Sequence, residues 1–521
     1  MSQARVVTEP LGGGPLTRAL LAGETPPHWL APPPTTSAEW TTRVAAVQSE
    51  VHARGWLDAL APAFGDGGAA ADRLRRVAGG RGVVVTTGQQ PGLFGGPIYT
   101  WSKAMSALAL ADELERATGI PVAPVFWAAT DDADLAEASS TTLATEAGAD
   151  VITAPSSGPD GAPASRVPLG DVHGLLEHLA RASGSASYRE PLDAARDAYR
   201  AGATVGSAYV VLLRRLLEPL GIAVLDASHE ATLTAAAAFL RAAQSGAADV
   251  DRALSVRDRE IISAGFTPQV PHVEGRSLVF AWEHGAKRRL TIGEPVPGQG
   301  PLSANVLLRP VVERALLPTV AYVAGPAELA YFAQVSAVAS TLGAQAPLAV
   351  PRWSTTILEP HVQRALARLG LDATDVRDPH AAEGRLAREA LPATVVTRLQ
   401  EVRSAIDQGL AALAAEVGQD GLVSPRIVEG ARAVMRHRIE RLERRFAAAV
   451  KHRERGTMRD LAAARGALWP NGSRQERALN FLPILARQGP DLLSRMREAA
   501  AEHARALIGT DRSGAGGRPG S

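Results

Sequence analysis

The chain has no cysteine. Disulfides, thiolate metal sites and a cysteine nucleophile are therefore excluded. Neither sign of charge dominates: 55 Lys and Arg against 54 Asp and Glu give a formal net charge of +1. No global field draws such a chain to nucleic acid or to an anionic membrane, and neither is an expected partner. No apolar run approaches the ~18–20 residues that span a bilayer. The opening MSQARVVTEPLGGGP lacks the apolar core of a signal peptide, so the cytoplasm is the expected location. No HExxH or HxxEH occurs. His173, Glu177 and His178 fall close together, but their spacing suits a solvated helix face, and no metal is expected.

What is present is an α/β pattern of 521 residues, too long for one ordinary core, with 46% apolar and 21% charged residues. Short apolar runs at 82–86, 122–128, 222–226, 319–324 and 347–350 read as strands. Helical patterns at about 100–117, 207–220 and 327–342 alternate with them, which predicts a doubly wound parallel sheet. Two insertions interrupt it, at about 151–200 and 255–315. The first is rich in Pro, Gly, Ala and Ser with a short helix near 171–182. The second contains SLVFAWEHGAKRRLTI, a hairpin about His284-Gly285. Such insertions wall an α/β site.

The catalytic core is thus expected over 1–385. From 386 to 465 the period changes. Val396, Leu399, Val402, Ile406, Leu410 and Leu413, then Val428, Ala431, Met435, Ile439, Leu442, Phe446 and Ala449, recur at spacings of three and four about a break at 418–425. Two long antiparallel helices, a coiled-coil hairpin, fit this pattern, with HRIERLERR on its solvated face. A helical stretch within 466–509 is expected to return to the core, and 510–521 reads as a disordered tail.

The densest stretch is VVVTTGQQPGLFGGPIYTWSK at 83–103. It reads as strand, glycine-rich loop and helix, the arrangement by which an α/β protein lets its backbone approach a polar ligand. It matches neither GxxxxGK[ST] nor GxGxxG, so the pattern alone does not name a nucleotide. A loop needed only for packing remains the other reading.

TGQQPGLFGGPIYTWSKAMSAL at 87–108 resembles the signature block of the cysteine-adding enzyme family of bacillithiol biosynthesis. SANVLLRPVVERALLPTVAYVAGPAELAYFAQ at 303–334, PLAVPRWSTTIL at 347–358, GFTPQV at 265–270 and WPNGSRQERALNFLP at 469–483 are similar to further blocks of that family, in order. The resemblance implies a Rossmann-like core with connecting insertions and a C-terminal α-helical coiled-coil domain through which subunits form a homodimer. It implies a ligase that joins L-cysteine through an amide to the glucosamine nitrogen of glucosaminyl-malate. Because a carboxylate does not acylate an amine unaided in water, ATP is expected as co-substrate.

Ligands of open α/β sheets bind beyond the carboxyl ends of the strands, and the family blocks put polar residues there. The first block offers Thr87, Gly88, Gln89, Gln90, Gly95, Gly96, Tyr99 and Lys103 for the nucleotide. Asp131, Asp132 and Glu328 are the catalytic candidates. Asp131, Asp132 or Asp134 would hold the cysteine ammonium or sugar hydroxyls, and Glu328, if buried beside Val323 and Ala324, would deprotonate the amine. Asp134, Asp226, Asn305, Arg309, Tyr331 and Arg352 are the substrate-binding candidates, with the arginines suited to the malate carboxylates. For each Asp the plain alternative is a helix cap or a surface carboxylate. The family pattern Glu-Asp-His-Asp reads Asp131-Asp132-Ala133-Asp134 here, and its GPGE turn reads GPAE at 325–328. His229 and His272 are the only histidines offered in place of the missing one. Two other functions stay open: a non-catalytic dimeric scaffold that binds nucleotide or sugar, for which Ala133 speaks, and a sugar-nucleotide transferase.

Overall fold

The computed structural model describes residues 3–50, 55–298, 300–420 and 424–509. The expected tail at 510–521 and residues 421–423 of the expected helix break lie outside them. Five apolar runs form one parallel sheet: β1 (Val83–Gln89), β2 (Val122–Ala128), β3 (Ala223–Asp226), β4 (Thr319–Ala324) and β5 (Ala349–Pro351). Their spatial order is β5-β4-β1-β2-β3, all pairs parallel. Every residue of β2 and β4 is buried, as expected of strands covered on both faces. From β1 the chain steps outward through β2 and β3, then returns to the other side of β1 for β4 and β5. The reversal lies between β1 and β4, where an open sheet leaves a crevice.

The helices that follow β1 and precede or follow β4 frame this crevice. Helix α1 (Ile98–Thr118) buries residues on every side, Lys103 among them, and stops at Gly119 in the left-handed conformation. Helix α2 (Val205–Leu217) precedes β3 and starts on a Thr204–Ser207 capping box. Helix α3 (Arg309–Leu316) precedes β4, and α4 (Pro326–Thr341) follows it. The first insertion holds two short helices, His173–Ser183 and Glu190–Ala198. The second forms a three-stranded antiparallel sheet of Arg276–Glu283, Ala286–Thr291 and Leu302–Ala304. Its two-residue turn has φ of 49° at His284 and 86° at Gly285, the left-handed pair that suits the twist of a tight hairpin.

The chain divides into two compact units. The described residues of the first fall within 1–143, 150–358 and 475–521, and those of the second within 144–149 and 359–474. The boundary at 358 lies earlier than the expected 385. Two short amphipathic helices, Pro360–Leu369 and Pro379–Glu389, precede the long ones and belong with them. Neither is long enough to show a sustained period in the sequence.

In the second unit α5 (Ala393–Asp420) and α6 (Pro425–Arg453) pack as an antiparallel pair. Arg403 reaches Glu443 at 2.9 Å, and four residues on, Asp407 meets Arg432 at 3.0 Å and Arg436 at 2.9 Å. The returning segment in the first unit is broken rather than continuous: Gln475–Ala478, Leu482–Gln488 and α7 (Pro490–Ile508), which packs along α1. Pro483 and the Gly489-Pro490 step account for the breaks. Among the described residues no helix is long and apolar enough to cross a membrane.

Candidate active site at the carboxyl ends of the central strands

A cavity of about 230 Å³ opens at the reversal between β1 and β4. Gly88 and Gln89 of β1, Lys103 of α1, Arg309 and Glu313 of α3, and Glu328 of α4 wall it. Lys103 is only 1% exposed. Its ammonium lies 2.6 Å from Glu328 Oε2 and 3.3 Å from Gln89 Oε1, and it donates to the Gly88 carbonyl. Burial lowers the Lys103 pKa, and Glu328 opposes that shift. Glu328 accepts two further bonds, from the Tyr322 hydroxyl and from the Gly325 N–H, each at 2.6 Å. The apolar setting expected for Glu328 is thus absent. At the third position of α4 its side chain folds back to the helix start, as in a capping box, and meets three donors there.

A second ionic group lies at the end of β2. Asp131 is buried, 3.6 Å from the Lys287 ammonium through Oδ2, and its carbonyl accepts from Lys287 at 2.7 Å. Arg309 reaches across to Asp132 Oδ2 at 3.1 Å and Asp131 Oδ2 at 3.8 Å. Burial alone would raise Asp132, but Arg309 and Lys287 outweigh it and hold the carboxyl below its usual range. Burial likewise disfavours the Arg309 charge, yet the two aspartates push its pKa higher still. Asp131 Oδ1 and Arg309 Nε have no hydrogen-bond partner among the described residues.

The remaining expected residues divide between cavity and framework. Gln90, Tyr99, Tyr331 and Arg352 line the cavity, and the Tyr99 hydroxyl accepts from Gln89 at 3.0 Å. Arg352 is nevertheless committed: its two terminal nitrogens each meet one Glu476 oxygen at 2.8 Å, both side chains being 3% exposed. Burial favours the neutral form of Glu476, but Arg352, with Ser354 and the Thr355 N–H, holds its pKa down. Thr87 donates to Val323 O at 2.9 Å and ties β1 to β4. Asp134 caps the helix Leu135–Ala138 through the Glu137 N–H. Asp226 accepts from the Thr130 hydroxyl and the Ser228 N–H, and Asn305 from the Leu307 and Leu308 N–H groups. Asp134 thus takes the plain cap alternative, and Asp226 and Asn305 are spent on turns.

Gly95 and Gly96 are not among the residues lining the cavity. Their φ values of 85° and 74° close a tight loop in which a Cβ at Gly92 would lie 2.7 Å from Gly96 Cα. Asn480 holds that loop, donating to Leu93 O at 3.2 Å and Phe94 O at 3.0 Å. The first N–H of α1, that of Ile98, is taken by Leu479 O at 2.9 Å. An anion expected at that N-terminus would have to compete for it. His229 caps its own helix through the Ala231 N–H and His272 pairs with Asp251. Neither lines the cavity, and the cations beside the Asp131–Asp134 turn are Lys287 and Arg309.

Sequence reasoning missed Lys287, Glu313, Glu476 and Arg477. Glu313 stands one helical turn after Arg309, so a residue already chosen pointed to it. Arg477 is exposed at the cavity edge. Lys287 and Glu476 come from distant segments that only the fold brings in. Among the described residues no group of three His, Cys, Asp or Glu side chains is placed to hold a metal ion.

This is a doubly wound α/β protein whose polar cavity, walled by buried charges of both signs, sits at the topological switch point. Two family models divide the chain between them. The one described as Bacillithiol biosynthesis BshC, N-terminal Rossmann-like domain, matches residues 35–296 and 298–353, and the one described as Bacillithiol biosynthesis BshC, C-terminal coiled-coil domain, matches 355–506. The chain belongs to the bacillithiol biosynthesis BshC family. A relative from Solibacter usitatus is 33% identical over 460 residues, 82% of this chain and 84% of its own. Relatives from Koribacter versatilis (33% over 452 residues, 82% and 83%) and Heliobacterium modesticaldum (32% over 489 residues, 85% and 86%) match alike. Each bears the name "Putative cysteine ligase BshC".

The Arg352–Glu476 pair gives a direct test of this framework. Arg352→Met leaves a buried carboxylate unpaired and is expected to cost about 3–5 kcal/mol. Adding Glu476→Gln should recover part of that loss, since it removes the unpaired charge while the amide oxygen keeps the Thr355 N–H and the amide nitrogen donates to the Ser354 hydroxyl. Denaturant unfolding of the three proteins measures it; a double variant less stable than Arg352→Met would contradict the pairing.

Proposed function

We propose that the chain joins L-cysteine to the amine of glucosaminyl-malate by an amide bond, the last step of bacillithiol synthesis, with ATP as co-substrate. Family membership supports the ligase class. The observation that carries the assignment to this cavity is its fixed charges of both signs: the buried Lys103 paired with the half-buried Glu328, and Arg309 in the wall held from behind by Asp132. Such charges are already oriented before substrate arrives, so they stabilise a charged ligand without reorganisation.

In this reading Asp131, buried between Lys287 and Arg309 and outside the cavity lining, holds Arg309 in place from behind. Arg309 and the exposed Arg477 take carboxylates of the malate. Gln89, Gln90, Tyr99 and Tyr331 donate to sugar or phosphate oxygens. Lys103 and Glu328 fix the cavity wall, with Gly88 supplying the carbonyl that the ammonium needs. The cavity, about 230 Å³, is below the ~300–1,000 Å³ usual for small-molecule sites. It therefore suits the reacting ends, while the rest of the nucleotide lies outward past Gln90 and Arg477. When bound, ATP supplies the group that turns the cysteine carboxylate into an acyl donor.

The homodimer belongs to the same proposal. Helices α5 and α6 leave Val402, Leu413, Val434, Met435, Leu442 and Phe446 exposed, apolar surface of the kind a second copy covers.

Purified protein given cysteine, ATP and glucosaminyl-malate should yield the amide by mass spectrometry. Asp132→Asn, which removes the closest partner of Arg309, should lower kcat/KM about 10²-fold, on the order of one lost charge-oriented contact. An unchanged rate in that variant would remove the aspartate–arginine group from the chemistry. Separately, sedimentation should show a dimer that Val434→Glu with Leu442→Glu converts to monomer. A wild-type monomer at micromolar concentration would refute the dimer.

A further inference from the structure

We propose that Glu313 takes the proton from the substrate amine as the amide bond forms. The inference rests on the reading that this cavity receives an amine. Glu313 projects from α3 one turn beyond Arg309, on the same face, and lines the cavity at 1% exposure. Its Oε1 has no well-formed hydrogen bond among the described residues, and the one neutral donor beside it is the buried Thr86 hydroxyl, itself without a well-formed bond. Buried carboxyl oxygens are costly without a donor, and an orphan in a cavity wall points to a ligand that supplies one.

The other carboxyls of the wall are occupied or wet. Glu328 already has three donors, and Glu137, which meets Tyr99, is exposed. The charged and titratable groups around Glu313 are Lys103 of α1, Glu328 and Tyr331 of α4, Tyr322 of β4 and Arg309 of its own helix. Both cations are engaged elsewhere, Lys103 by Glu328 and Arg309 by Asp132. Burial, with Glu328 adding to it, pushes the Glu313 carboxyl up to about 8, against the pull of Thr86, Lys103 and Arg309. A value near the working pH is what a proton acceptor needs.

The step balances. The amine nitrogen attacks the activated carbonyl carbon of cysteine and a C–N bond forms. The C–O bond to the activating group breaks, and its electron pair leaves on that oxygen. The proton shed by nitrogen passes to Glu313 and later to solvent.

The test compares wild type with Glu313→Gln, using two nucleophiles: glucosaminyl-malate and hydroxylamine, which is already neutral near pH 7. With the sugar amine the variant should lose about 10²–10⁴-fold and lose the inflection near pH 8 in its rate profile. With hydroxylamine the loss should be at least tenfold smaller. Equal losses with both nucleophiles, or a retained rate and inflection, overturn the proposal and leave the ligase assignment standing. If the wild type makes neither product, the ligase assignment fails. Proton release on binding glucosaminyl-malate, by calorimetry in two buffers, then decides for Glu313. Release lost in the variant keeps Glu313 as the amine's partner; equal release, or no binding, removes it.

Folding of the variant is checked by its melting temperature against pH. The folded state holds the Glu313 proton where the unfolded chain has lost it, so wild-type stability falls between about pH 4.5 and 8. Glu313→Gln should lack that fall; a parallel pH dependence in the two proteins contradicts a buried, protonated Glu313.

Discussion

A lysine with 1% exposure, in the second turn of a helix buried without interruption from Thr100 to Ala111, is the constraint that the site is arranged around. Removing its charge from water costs several kcal/mol even after relaxation, so its surroundings must return that in bonds. They do so from two elements: the Gly88 carbonyl and Gln89 side chain from β1, and the Glu328 carboxylate from α4. Glu328 in turn ties the Tyr322 hydroxyl of β4 to the Gly325 N–H just before α4. The result is that the two strands flanking the switch point, and the helices leaving them, are locked by one ion pair. Gly88 has no side chain for a spatial reason too: a Cβ there would come within 3.3 Å of the Trp127 side chain on β2.

The same economy recurs behind the cavity. Arg352 follows β5 and is held by Glu476, which also accepts from Ser354 and the Thr355 N–H. Four residues on, Asn480 fastens the loop after β1. The polar residues Gln475, Glu476 and Asn480 therefore bracket the loop and the chain that follows β5. This is a physical reason for an unusual string of Gln, Glu and Asn in a buried place: each side chain satisfies backbone groups that have no ladder or helix partner.

What was legible in the sequence followed from periodicity and turn chemistry. The five strands, the hairpin about His284-Gly285 and the antiparallel long helices all carry local signals, because burial on both faces, left-handed φ values and three-four spacing each leave a pattern. The site was legible only in part. Gly88, Gln89, Lys103, Arg309 and Glu328 meet in the cavity, since each follows or precedes a core strand. Asp134, Asp226 and Asn305 sit at strand or helix ends as well, but there they cap turns, and strand-end position alone does not separate the two uses. The glycines at 95 and 96 signalled a close approach correctly, but it is the loop's approach to itself. Lys287 and Glu476 could not be placed, because an insertion and the returning segment deliver them across more than a hundred residues.

The central claim is that substrate binds at the reversal between β1 and β4. A crystal structure of the protein grown with glucosaminyl-malate tests it most directly. The account predicts density for the sugar amine against Glu313, with the malate carboxylates against Arg309 and Arg477. Ligand bound instead in the separate cavity beside Arg166, Arg241 and Trp282, with the Lys103–Glu328 cavity empty, would contradict it.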